Sequence, residues 1–330
     1  MKALGRMHIP GLDMLTSDPQ YVLTSGWLTA GLPASAARLN GRRRVMTEVS
    51  DFSQKMGGQG PAALVKMQAT AAWQAAWGVT EFTLYYGMGD RSADEYRAYG
   101  DFVGRLNAIL RDATPHAETL LYYPIYDLWA EYLPVAEPLK LESQSLAAQQ
   151  LVESTLRLGR LLQRGQHSFT LIDHENLARA KVHDDGWLTI GSQRYLSLVV
   201  PAGVEFPEPV AAIVRRFSQA GGRVLRDGVA QRFVSPTVLQ EALQPATRIA
   251  PDSERIVLGQ FTRDGRKIAI AVNVGDQPYD GTLSLPESED WLSLNPTTGA
   301  VDVAKTAANG EVSLAVGAWQ TRLFVGAAKK

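Results

Sequence analysis

Short apolar runs recur about every 35 residues in the first third of the chain, each followed by a loop and a helix-type stretch. "MHIPGLDML" is a candidate strand and turn, "RRVMTE" is a second strand and "VTEFTLYYG" a third. The intervening stretches are amphipathic. They are the region around "DPQYVLTSGWLTAGLPASAARLNG", then "PAALVKMQATAAWQAAWG", then "SADEYRAYGDFVGRLNAILRDA". In the second of these Pro61 suits the first helical turn and Gly78 the C-terminal stop. Strands alternating with helices at this spacing predict βα units in a parallel sheet, here three of them over residues 1–116.

The pattern then changes twice. Over residues 117–248, "AETLLYYPI", "SFTLID" and "YLSLVVP" read as buried strands, with "RVLRDG" closing the series. "SLAAQQLVESTLRLGRLLQRG" and "PEPVAAIVRRFSQAGG" read as helices, and "KVHDDGWLTIG" as a hairpin turning on Asp-Gly. This predicts a small doubly wound, flavodoxin-like α/β domain. Over residues 249–330 the runs "RIVLGQFTR", "KIAIAVNV", "GTLSLP", "EVSLAV" and "QTRLFVG" are separated by turn residues, and "RDGRK" supplies a second hairpin signal. No helix is evident there, so the expectation is a small C-terminal β-sandwich.

Several functions are excluded on elementary grounds. The net charge of −1 and the absence of a basic stripe argue against nucleic-acid binding. No run approaches the ~18 apolar residues of a membrane span. The N-terminus lacks a signal-peptide core and cleavage site, so a cytoplasmic protein is expected. With no cysteine, thiolate catalysis, disulfides and Cys-zinc sites are impossible. The five histidines show no metal spacing, and no G-x-S-x-G elbow or phosphate-binding glycine loop occurs. No metal and no cofactor is expected.

The pieces "PGLDML", "RVMTEVSDF", "WGVTEFTLYYG", the stretch from "SFTLID" to "SLVVP", "FSQAGGRVL" and the tail "IAIAVNVGDQPYDGTLSLP" stand in a suggestive order. In that order they resemble the C-terminal portion of multi-domain glycoside hydrolases built on a (β/α)8 barrel, of the family 42 β-galactosidase and large α-L-rhamnosidase type. The resemblance implies a partial barrel over residues 1–116, matching strands 6 to 8. It also implies a non-catalytic, amidotransferase-like oligomerisation module next, a carbohydrate glycoside as ligand, and a homo-oligomer. "VMTE" then resembles the seventh barrel strand, with Glu48 as a catalytic carboxylate, the nucleophile in retaining members.

Barrel active sites gather at the C-terminal ends of the strands. Glycosidic cleavage needs one carboxylate near the anomeric carbon and a second carboxyl to protonate the leaving oxygen. In the resembling family the second comes from strand 4, which has no counterpart among three βα units. The acids available instead are Asp13 at the end of the first strand and Asp90 just past the third. Asp51 lies on the loop after Glu48, and Glu81 sits at the wrong end of its strand. Asp51, Tyr85 and Tyr86 are candidates for contacting the sugar. The ordinary alternatives are Glu48 as a solvated loop acid, Asp13 as a turn former, and Tyr85 and Tyr86 as core. Trp27 is either a core residue or a stacking platform for a pyranose. Two functions follow, a glycosidase using Glu48, or a non-catalytic carbohydrate-binding or assembly module that lacks half a barrel.

Overall fold

The computed structural model describes residues 1–228, 233–245, 247–285, 290–306 and 311–326. Pro286, the end of the third strand-like run expected in the tail, lies outside them. A short helix α1 (Lys2–Arg6) precedes β1 (Gly11–Met14) and α2 (Trp27–Leu39). β2 (Met46–Ser50) leads into α3 (Phe52–Met56) and α4 (Leu64–Trp77), and β3 (Glu81–Tyr85) into α5 (Ala93–Leu110). The three strands form one parallel sheet in the order β1-β2-β3, as the spacing predicts. The left-handed Gly78, at φ 106, ends α4. Pro61 does not lie in the first turn of α4, because Ala63 is still extended and caps a helix that starts at Leu64. The cause is local: the Ala62 N–H donates to Asp51 Oδ2 and the Ala62 carbonyl accepts from Arg91, which holds this stretch outside the helix.

The next segment contains β4 (Thr114–Pro115), β5 (Thr119–Tyr122), α6 (Ile125–Glu131), α7 (Leu146–Arg164) and β6 (Phe169–Ile172). It continues through α8 (His174–Leu177), β7 (Lys181–Val182), β8 (Leu188–Ile190), β9 (Gln193–Tyr195), β10 (Ser197–Val200), α9 (Glu208–Gln219), β11 (Arg223–Arg226) and α10 (Pro236–Leu243). Its parallel sheet runs β11-β10-β5-β6. Every residue of β5, β6 and β10 is buried, as continuous apolar strands covered on both faces require. The Asp-Gly turn, with Gly186 at φ 79, joins β7 to β8, and β9 extends them to three antiparallel strands.

The last strands are β12 (Arg248–Ala250), β13 (Ile256–Arg263), β14 (Arg266–Asn273), β15 (Tyr279–Ser284), β16 (Trp291–Leu294), β17 (Val301–Val303), β18 (Glu311–Val316) and β19 (Thr321–Gly326). They build a six-stranded sheet, β17-β16-β19-β14-β13-β4, and a three-stranded sheet, β12-β15-β18. Side chains from both, including Leu258, Leu283, Leu314 and Phe324, share one buried cluster. Asp264 and Gly265, both at positive φ, make the β13–β14 hairpin turn. β4 is the unexpected member. Pro115 pairs opposite Phe261 at the sheet edge, where a missing N–H is tolerated. No helix among the described residues is long and apolar enough to cross a membrane.

The main core is common to all three segments. Trp27, Trp73, Trp77 and Phe102 meet Leu158 and Phe169 from the second and Val257, Ile268 and Ile270 from the third. From Met67 to Trp77 every residue of α4 is buried, because the helix packs against α2, α5, β13 and β14 at once. Two glycines permit the closest approaches. A Cβ at Gly259 would lie 2.4 Å from the Ala76 carbonyl oxygen, and one at Gly159 would lie 2.0 Å from the Trp27 ring. In a helix such as α7, Gly→Ala normally gains about 1 kcal/mol. At Gly159 the overlap with a fully buried indole should outweigh that gain. Gly159→Ala is therefore expected to destabilise by a net ~1–3 kcal/mol in urea denaturation. A stabilised variant would show that Trp27 can move.

Candidate functional site

β1, β2 and β3 run in step. Asp13 pairs with Glu48 and Glu48 with Thr83. Register partners on adjacent strands share a face, and neighbouring strands lie about 4.8 Å apart. Asp13, Glu48 and Thr83 therefore form one row across the sheet. The opposite face of β2 is committed to the core, with Thr47 at 0% and Val49 at 1% exposure. Asp13 and Thr83 are exposed and Glu48 is half-buried. The alternation of the strand thus places the Glu48 carboxylate on the face that is not packed into the core.

Beyond these strand ends three loops are tied together. Asp51 is 2% exposed, and its Oδ2 accepts from the Ala62 N–H at 3.0 Å and from Arg91 Nη2 at 2.5 Å. Arg91 also donates to the Ala62 carbonyl and lies over the Tyr86 ring, 5.0 Å from its centroid, while its Nη1 is buried without a partner. Burial pulls the Arg91 guanidinium down, but the Asp51 hydrogen bond and charge lift its pKa above the usual value. Tyr86 shares a 2.8 Å hydrogen bond with Ser17, whose hydroxyl also donates to the Ser50 carbonyl. Burial pushes the Tyr86 phenol up to about 12 against the effect of that hydrogen bond. The Ser17 N–H donates to Gln54. Lys55 pairs with Asp90 at 2.7 Å, and this hydrogen bond lowers the Asp90 pKa against some desolvation.

The residues singled out by sequence therefore part company. Glu48 and Asp13 stand side by side. Asp90 lies on the β3 loop in an ion pair. Asp51 is turned inward to Arg91. Tyr85, 64% exposed, and Tyr86, 8% exposed, point to opposite sides at the end of β3. Trp27 corrects an expectation. It is fully buried, donates to the Thr24 carbonyl, and meets Phe169 edge-on at 5.5 Å, so it has no ring face open to a sugar. Arg91 and Ser17 were not anticipated, since neither carries a local motif. Glu81 is held by Arg44 and Arg111 at the opposite strand end. Among the described residues no group of three or more His, Asp or Glu could hold a metal ion.

The outer edges of β1 and β3 have no strand partner among the described residues. Leu15, Phe52, Met56, Leu84 and Met88, on or just beyond the three strands, are all exposed.

No family model and no curated protein matches the chain. Solved structures do. A rhamnosidase from Novosphingobium sp. PP1Y superposes with a TM-score of 0.67 at 13% identity, covering 98% of this chain and 35% of that one. A catalytic mutant of a GH42 beta-galactosidase from G. stearothermophilus gives 0.61 at 9%, covering 94% and 57%. An apo exo-carrageenase GH42 from Bacteroides ovatus gives 0.53 at 12%, covering 92% and 44%. The chain has a glycoside hydrolase-like fold and spans between about a third and just over half of these longer proteins.

The Asp51–Arg91 pair should hold the loops in place. Removing one member leaves a buried charge uncompensated, at a cost of about 3–5 kcal/mol. Arg91→Met is expected to lose that much in urea denaturation, and Asp51→Asn/Arg91→Met less than the sum of the single changes. A loss below ~1 kcal/mol for Arg91→Met would show that the pair does not tie the loops.

Proposed function

We propose that the C-terminal ends of β1–β3 belong to the active site of a glycoside hydrolase, with Glu48 as a catalytic carboxylate acting as nucleophile. The observation that carries this reading is the in-register row of Asp13 and Glu48 on the face of the sheet not packed into the core. Strand spacing separates their backbones by about 4.8 Å. Retaining glycosidases place their two carboxyl groups ~5–5.5 Å apart. In this role Glu48 attacks the anomeric carbon, the leaving oxygen takes a proton from a carboxylic acid, and water then releases the sugar with that acid acting as base. Asp13 is the proton donor we would test first and Asp90 the second. Tyr85 is exposed where it can contact a sugar. Asp51 and Arg91 position the loops.

Residues 1–116 would then be part of a (β/α) barrel, residues 117–248 a flavodoxin-like assembly module, and residues 249–330 a β-sandwich. Eight strands close such a barrel, so three leave two edges to be covered. A homo-oligomer, or further βα units, would cover them. The open edges favour a second reading, a carbohydrate-binding or assembly module without turnover.

The two readings differ in one assay. On a panel of aryl glycosides that includes β-D-galactosides and α-L-rhamnosides, the folded protein should hydrolyse at least one. Glu48→Gln should lower kcat at least ~10³-fold, about 4 kcal/mol of transition-state stabilisation, with an unchanged circular dichroism spectrum. Saturable sugar binding without turnover would support the second reading. Neither turnover nor binding would overturn both.

A further inference from the structure

At the opposite, N-terminal end of the parallel sheet lies a cavity of about 220 Å³ with an unusual wall. Arg38, Arg42 and Arg43 line it, with Thr80, Ser192 and Gln193, and no Asp or Glu does. Arg38 sits in the last turn of α2, Arg42 and Arg43 in the loop to β2, Ser192 between β8 and β9, and Gln193 at the start of β9. Three separate elements therefore bring donors to one space.

The cations there are uncompensated. Among the described residues none of the three arginines forms an ion pair. The nearby carboxylate that could serve, Glu81, is already taken by Arg44 at 2.8 Å and Arg111 at 3.2 Å. Arg38 donates from Nη1 to the Thr170 hydroxyl at 2.6 Å, which is a neutral acceptor, and its Nε is buried with no partner at all. Burial pulls its pKa below the usual arginine value, and Arg38 in turn helps burial lower that of His116. The C-terminal carbonyls of α2 offset some of this. A helix end carries about −0.5 charge, however, against three full positive charges. Buried charges in folded proteins are as a rule paired or hydrogen-bonded. Here Arg38 lines the cavity without a counter-charge, and its own Nε–H is unused.

We propose that this cavity binds a small phosphate monoester. Guanidinium forks match phosphate oxygens in bidentate fashion, and Ser192 and Gln193 supply neutral hydrogen-bonding groups beside them. The volume would hold about seven waters at ~30 Å³ each, which leaves room for a short organic group as well as the phosphate. The site lies at the other end of the sheet from Glu48 and does not depend on the glycosidase reading.

The test is thermal unfolding and titration calorimetry of the full chain at about 10 mM ionic strength, where screening is weak. The probes are glycerol phosphate, inorganic phosphate and sulfate, with chloride matched in ionic strength. Glycerol phosphate should raise Tm saturably, bind at least as tightly as inorganic phosphate, and exceed any effect of chloride. Arg42→Gln/Arg43→Gln changes two exposed loop residues and should weaken binding at least tenfold. Arg38→Met should abolish the shift without lowering Tm in chloride, because it removes an unpaired charge. If Arg38→Met does not fold, the loop double variant alone decides. A phosphate effect equal to that of chloride, or one that survives the loop double variant, overturns the proposal. Inorganic phosphate binding tenfold tighter than the ester overturns the choice of ligand.

Discussion

The rest of the structure depends on the burial of α4. A helix hidden from Met67 to Trp77 on every side must be covered by more than its own sheet. One side belongs to α2 and α5 and another to β13 and β14, with Gly259 letting the helix backbone settle against the strand. The parallel sheet at the start of the chain and the antiparallel sheet at its end thereby share one core, and Trp77 and Phe169, edge-on at 4.9 Å, draw in the middle segment. Three short strands alone bury little surface, and a small unit is correspondingly marginal. Packed on this common helix, they need not be.

That anchoring gives the strand ends a rigid base, and the loops beyond them are fixed by polar contacts instead. Ser17, Asp51, Tyr86 and Arg91 come from the loops after three different strands and converge within hydrogen-bond or ring contact. Glu48, Asp13 and Tyr85 take no part in these contacts. A site held this way has its carboxylates positioned by register rather than by side-chain bonds. Sites built on strands and supported by a packed shell are the more precisely held kind.

Much of this was legible in the sequence because it is periodic. Positions 11, 46 and 81 are 35 residues apart, and they are register partners in the sheet. The same equal spacing sets Asp13 beside Glu48. The hairpins were legible from Asp-Gly, and the middle sheet from its continuous apolar strands. What was not legible was long-range. Asp51 reads as an ordinary loop acid until Arg91, 40 residues on, is seen to cover it. Trp27 reads as core before platform, and Gly159 decides for core from a helix 132 positions later. β4 is two residues long and half proline, so nothing local announces its pairing with β13. Arg38 looks like any helix-end arginine until its missing counter-ion becomes visible in three dimensions.

In the proposed mechanism Glu48 attacks the anomeric carbon. An aryl 2-deoxy-2-fluoroglycoside of whichever sugar the protein hydrolyses slows release of the covalent intermediate and allows it to be mapped by peptide mass spectrometry. The account predicts one sugar per active chain, attached to Glu48, with activity lost in proportion. A sugar on any other carboxylate, or turnover that continues while Glu48 stays unmodified, would contradict it.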